Sequence, residues 1–311
     1  MKAAIVGMLN NVGSSQSHHG GGYYHVMMNI LKSEHPGELQ FNPDPSTWNE
    51  YERLYILEGV NYQENVFNFI GGPQPEHRAK LEAMANYKGL CIAVNVPIDL
   101  NVFNKRFGLD HQFPAINCID YARQYGNTTR KLVRGDSHSL SVWRPGFGLD
   151  RTDGKTLHGF LKDADSLVEE WNSKYDETVT YFSNIDIRFH LMRQDNPEQA
   201  TRDLFNRYVE FSSKLNNNTI VEPLPIEHES RKLPGTGLYK GQKYFGTREE
   251  RMHIRQIAID IIRQSGQKYL SWPTEWIDED GMKMFEYMEP KQSVHLKPRY
   301  YMFTTTVIVN Q

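Results

Sequence analysis

Ser137 and His295 are the two residues of this chain whose types and settings could together break an ester bond. A serine hydroxyl is a weak nucleophile until a base takes its proton in the transition state, and histidine is the side chain suited to that near neutral pH. Ser137 lies in Lys131-Leu-Val-Arg-Gly-Asp-Ser-His-Ser139, where a short strand-like run stops abruptly at Gly135-Asp136-Ser137. A serine at such a corner presents its hydroxyl at the carboxyl edge of a sheet, where open α/β folds carry their ligands. His295 lies in Ser293-Val-His-Leu296. Between them, Val179-Thr-Tyr-Phe-Ser-Asn-Ile-Asp-Ile-Arg-Phe-His190 reads as a strand ending in polar groups. The expectation is that Ser137 and His295 meet in space.

The oxyanion formed by attack on a carbonyl needs preorganised donors, each worth about 3–4 kcal/mol. The Ser137 backbone N–H, a loop glycine such as Gly146, and the Asn184 amide are the candidates. Asn184 and Asp186 join Ser137 and His295 as candidate catalytic residues; Asp136, His138, Gly146 and Arg188 are candidate substrate contacts. Asp136 also suits bracing of its turn, and Asp186 with Arg188 also suits an internal ion pair. His18, His19, His138 and His190 are metal-ligand types, but no spacing joins them into a site, and neither a metal nor a cofactor is expected. Trp143, Tyr269, Trp272 and Trp276 either line a sugar- or base-binding groove or pack in the core.

The elements that must hold these residues alternate between strand and helix. Strand-like runs at residues 2–9, 52–59, 90–96, 131–134, 178–182, 219–225 and 300–309 are separated by helical patterns at 23–32, 75–87, 114–125, 164–175 and 197–215. Thr247 and Glu250 have the spacing of a capping box ahead of another helix. This alternation predicts an α/β chain of two Rossmann-like or flavodoxin-like units with mainly parallel sheets, 1–127 and 128–311, with the site between them. The loop at residues 10–22, ending His18-His-Gly-Gly-Gly22, stands where phosphate-cradling loops do, without their full glycine pattern. Residues 231–248, basic and glycine-rich, read as a mobile loop that could act as a lid.

Composition narrows the functions. A 39% hydrophobic chain with 12% aromatics can build a packed core. Its net charge of −3 gives no global field for nucleic acid. Two cysteines, Cys91 and Cys118, exclude a disulfide framework and a cysteine-rich zinc site, and read as thiols of a reduced, cytoplasmic protein (host cytoplasm if viral). No run approaches the roughly 20 apolar residues of a membrane span.

Gly135-Asp136-Ser137, Phe182-Ser-Asn-Ile-Asp186 and Val294-His295 occur in the order used by SGNH (GDSL-like) hydrolases, and the second half resembles that family. The resemblance implies Ser137 as nucleophile and His295 as its base. The family places an aspartate three residues before the histidine, where this chain has Gln292, leaving a backbone carbonyl, Glu289 or a more distant carboxylate to orient His295. The family's oxyanion asparagine aligns with Ile185, one position after Asn184.

In the first half, Met1-Lys-Ala-Ala-Ile-Val-Gly-Met-Leu-Asn-Asn-Val12, Tyr51-Glu-Arg-Leu-Tyr-Ile56, Phe69-Ile-Gly-Gly72 and Met84-Ala-Asn-Tyr-Lys88 resemble the N-terminal domain of the T-even phage DNA β-glucosyltransferases. That resemblance implies a nucleotide sugar and DNA as partners, with Asp99 the nearest carboxylate to the family's base. Three readings follow. The first is a serine hydrolase or acyl transferase on an ester-bearing small molecule or carbohydrate. The second is a phage-type DNA base-modifying glycosyltransferase. The third is an inactive SGNH-like binding module, to which Gln292 points.

Overall fold

A computed structural model of the chain describes residues 2–7, 21–35, 37, 39–41, 43–57, 79–80, 82–84, 86–94, 115–116, 118–225, 245–277, 285–287, 295–296, 300–301 and 309–310. The chain divides into two compact units, Met1–Tyr125 and Gly126–Gln311. The division falls two residues before the boundary expected after residue 127.

The first unit is built on short apolar strands: β1 (Ala3–Gly7), β2 (Leu39–Phe41), β3 (Arg53–Leu57), β4 (Leu90–Val94) and β5 (Ala115–Ile116). They form one parallel sheet in the order β2-β1-β3-β4-β5. Helix α1 (Gly21–Glu34) turns Val26, Met27, Ile30 and Leu31 inward, all at most 1% exposed, at the spacing of one helical face. Residues 114–125 read as helix from sequence. Instead, Ala115 and Ile116 pair with Ala93 and Val94, and helix α2 begins at Cys118 and runs to Thr129. An available sheet edge captures the two apolar residues that periodicity alone assigns to a helix. Residues 8–20, 58–78 and 95–114, which include most of the glycine-rich loop and Asp99, lie outside the described residues.

Among the described residues the second unit has six strands: β6 (Lys131–Gly135), β7 (Gly148–Arg151), β8 (Glu177–Tyr181), β9 (Asn218–Val221), β10 (Lys268–Leu270) and β11 (Val309–Asn310). Their order is β11-β10-β9-β8-β6-β7, parallel throughout except for the β10–β11 pair. Its helices are α3 (Leu157–Phe160), α4 (Ala164–Lys174), α5 (Pro197–Ser213) and α6 (Arg248–Gln264). In both units the first strand lies between the second and the third, which is the flavodoxin-like order of doubly wound sheets. The fold is therefore α/β, as the alternation of elements predicts.

In β8 every residue from Thr178 to Tyr181 is buried, as a central parallel strand covered on both faces requires. One face packs Leu132, Phe182 and Ile220 against Phe160, Trp171, Phe205, Phe211, Ile254 and Ile262 from the helices. Phe160 stacks on Phe182 with centroids 4.2 Å apart, holding down the chain just after β8. Helix α6 starts at the expected capping box: Thr247 N–H donates to Glu250 Oε2 at 2.6 Å and Glu250 N–H to Thr247 Oγ1 at 3.2 Å.

Three sequence readings change here. Strands β7 and β10 here, like β2 in the first unit, are additional to the expected set. The polar tail after β8 is a helical turn, Asp186–His190, and not strand. Trp143, Trp272 and Trp276 are 0%, 5% and 3% exposed, and Tyr269 packs against the core, so these aromatics fill the interior. Of the last expected strand, 300–309, Tyr300 and Tyr301 are not in a strand, and Val309 pairs within β11. Most of the basic segment 231–248 lies outside the described residues. Among the described residues no helix is long and apolar enough to cross a membrane.

Candidate active site

Strand order in the second unit reverses between β6 and β8, and the crevice outside the carboxyl ends of such a pair is where doubly wound sheets bind ligands. The loops leaving these two strands carry Asp136, Ser137 and His138 on one side and Ser183 and Asn184 on the other. Gly135 lets the two strand ends approach. A Cβ at this position would lie 2.1 Å from the Tyr181 carbonyl oxygen, which also accepts the Asp136 N–H at 3.0 Å.

Ser137 Oγ lies 2.9 Å from His295 Nε2, so the structure brings the expected pair together. The turn that presents the serine consumes its other amides. His138 N–H donates to Asp136 Oδ1 at 2.8 Å, and Ser139 N–H donates to the Asp136 carbonyl at 3.0 Å. Among the described residues the Ser137 N–H has no acceptor, which suits it to an oxyanion.

Asp136 braces this turn from a fully buried position. Its Oδ1 also lies 3.1 Å from His138 Nδ1, and its Oδ2 accepts the Asn184 amide at 3.1 Å. Burial by itself would raise this carboxyl group; the adjoining His138 and the donated hydrogen bonds outweigh it and hold the group below its ordinary range. His138 Nδ1 is 3.5 Å from Ser137 Oγ, and its ring lies 4.6 Å from that of His295, centroid to centroid, tilted by 41°. Asn184 is held at both ends, because its Oδ1 accepts from the Tyr181 hydroxyl at 3.2 Å and from Leu224 N–H at 3.3 Å.

The other expected residues divide. Arg188 stands beside the cluster: its Nε donates to the Asn184 carbonyl at 2.9 Å, and it lines a small cleft with Asn184, Ile187 and Leu224. Among the described residues Asp186 makes no hydrogen bond or ion pair with Ser137, His295 or Arg188. Its carboxylate accepts the backbone N–H groups of Leu157 at 2.7 Å and His158 at 3.2 Å, pinning the start of α3. Gly146 lies at the opposite edge of the sheet. It precedes β7, whose Gly148 aligns with Leu132 at the amino end of β6, so it is no oxyanion donor. Asp99, Glu289 and Gln292 lie outside the described residues.

Burial raises the Asp186 carboxyl from 3.8 to about 6, even though the backbone N–H groups of Leu157, His158 and Asp186 itself favour its charged form. A carboxyl group raised on folding stabilises the native state fully below about pH 4, and loses that contribution as pH rises through about 6, here about 3 kcal/mol. The stability difference between wild type and Asp186→Asn should therefore fall between pH 4 and 6 in urea titrations. A difference that stays flat across this window would refute the assignment.

Two residues of the site carry no signal in the sequence pattern. Tyr181 reads as an ordinary strand residue, yet its hydroxyl orients Asn184. Ser183 has φ +101°, a region that disfavours side chains, and its buried Oγ has no hydrogen-bond partner among the described residues. Serine gives no hint of this backbone where glycine would have done so. Set beside known proteins, the chain matches no protein-family model and no curated protein.

Proposed function

We propose that the chain is a serine-dependent hydrolase or acyl transferase for an ester-bearing substrate, with acylated sugars the first class to test. The observation that carries this reading is the 2.9 Å contact between Ser137 Oγ and His295 Nε2 at the mouth of the β6–β8 crevice. As Ser137 Oγ attacks the acyl carbon, His295 Nε2 takes its proton and the Ser137 N–H faces the developing oxyanion. The bond from acyl carbon to the departing alcohol breaks, and His295 returns the proton to that alcohol. Water or an acceptor hydroxyl then attacks the acyl-enzyme, its proton passes by way of His295, and Ser137 is restored. The SGNH resemblance of the second half agrees with this assignment.

A fluorophosphonate probe tests it. The folded wild type should label, and Ser137→Ala should not. A folded wild type that stays unlabelled would overturn the reading in favour of an inactive binding module. In that event, salt-dependent DNA binding with nucleotide-sugar turnover would support the glycosyltransferase alternative.

A further inference from the structure

We infer that His138, anchored by Asp136, is a positioning residue that holds both members of the Ser137–His295 pair in register. The inference rests on the serine-nucleophile reading and goes beyond it, because a two-residue pair does not explain the second histidine packed into it. His138 is only 4% exposed, and Asp136, Ser137, Tyr181 and His295 all lie against it. Asp136 Oδ1 receives its backbone N–H at 2.8 Å and lies 3.1 Å from its Nδ1, so one carboxylate oxygen fixes both the backbone and the ring. Ser141 Oγ donates to the His138 carbonyl at 2.6 Å, fixing the residue from its other end.

Ring and serine also meet: Nδ1 lies 3.5 Å from Ser137 Oγ, close enough to bias which way the hydroxyl turns. On its far side the ring meets Tyr181 edge-on at 6.3 Å, and the His295 ring lies against it at 4.6 Å. A serine hydroxyl and an imidazole on a separate chain segment each have several rotamers. A rigid ring packed beside both restricts both at once. Misplacing a reacting group by about 1 Å costs about 10²-fold in rate, which sets the size of the effect.

The test is fluorophosphonate labelling over a range of probe concentrations, with thermal unfolding run in parallel. His138→Asn keeps a side-chain N–H close to the place of Nδ1, and so a donor to Asp136, but removes the ring. Its rate at saturating probe should fall about 10²-fold while the half-saturating concentration and the folding stay as in the wild type. His138→Phe restores a ring against His295, and should recover the rate to within about tenfold of wild type. A folded His138→Asn that labels at the wild-type rate overturns the inference, as does a His138→Phe no faster than His138→Asn. Should His138→Asn not fold, His138→Phe decides alone: supportive within about tenfold of wild type, contrary if as slow as His295→Ala. Failure of both variants to fold would make His138 a brace of the turn and nothing more, which also overturns the inference. All of these outcomes are distinct from an unlabelled wild type, which sinks the serine reading itself.

Discussion

Labelling of Ser137 in a His295→Ala chain should be slower than in the wild type by about 10²–10⁴-fold, the usual contribution of a positioned general base. Two ring nitrogens are near the hydroxyl, His295 Nε2 at 2.9 Å and His138 Nδ1 at 3.5 Å. The second cannot substitute for the first. It faces Asp136 Oδ1 at 3.1 Å, and a proton held between that nitrogen and a buried carboxylate leaves no lone pair for serine. Loss of His295 therefore removes the base without exposing a spare one. Added imidazole should restore part of the rate, because truncation to alanine opens the space that the ring occupied. If the variant instead labels at the wild-type rate, His295 is not the base, and the hydrogen bond is a resting contact only.

Gly135→Ala should cost the protein more stability than any single change to the polar residues around it. The added Cβ would fall 2.1 Å from the Tyr181 carbonyl oxygen and 3.0 Å from Ser139 Cβ. The first of these obstacles is backbone in the central strand pair, and no rotamer change moves it. Relief requires β6 and β8 to separate at their carboxyl ends, which strains the Asp136 N–H bond to the same carbonyl and the burial of Phe182. The loss should exceed about 3 kcal/mol, the upper end for overpacking that flexible side chains absorb. In a unit of this size that lowers the melting temperature by about 6–12 °C. Melting within two or three degrees of the wild type would show that the strand ends part easily, and that glycine is not required there.

The elements that could be read from sequence were those whose own residues determine them. Thr247 and Glu250 sit three apart before a helical apolar pattern, and that local chemistry forms in the structure as written. The β6 corner was equally visible, because an apolar run broken by Gly135-Asp136-Ser137 has few other readings. What escaped was set by partners. Strand β7 has only four residues, two of them charged, and is a strand because β6 pairs with it and Arg134 meets Asp150 at 3.1 Å. Gly146 looked close to Ser137 in sequence. Yet two parallel strands joined in succession must return the chain to the starting edge, so residues just before β7 lie far from residues just after β6. Asp186 is separated from the serine too: two residues of loop, Phe182 and Ser183, and the start of a helical turn aim its carboxylate at α3. Ser137 and His295 were legible as a pair because of their chemistry. The packing of His138 against them was not, because nothing in Asp-Ser-His spacing says on which side of the turn a ring will fall.

The distance in sequence between the proposed nucleophile and base has a consequence for the protein as it is made. Ser137 and His295 are 158 residues apart. At a synthesis rate of 5–20 residues per second, roughly 8–30 s pass between the appearance of the serine and that of the histidine. On the proposed serine-nucleophile reading, the β6 corner has its hydroxyl throughout that interval without the base that would activate it, so the nascent chain would carry no working nucleophile. On that reading reactivity arrives only with His295, and acquisition of probe sensitivity would time that event during refolding.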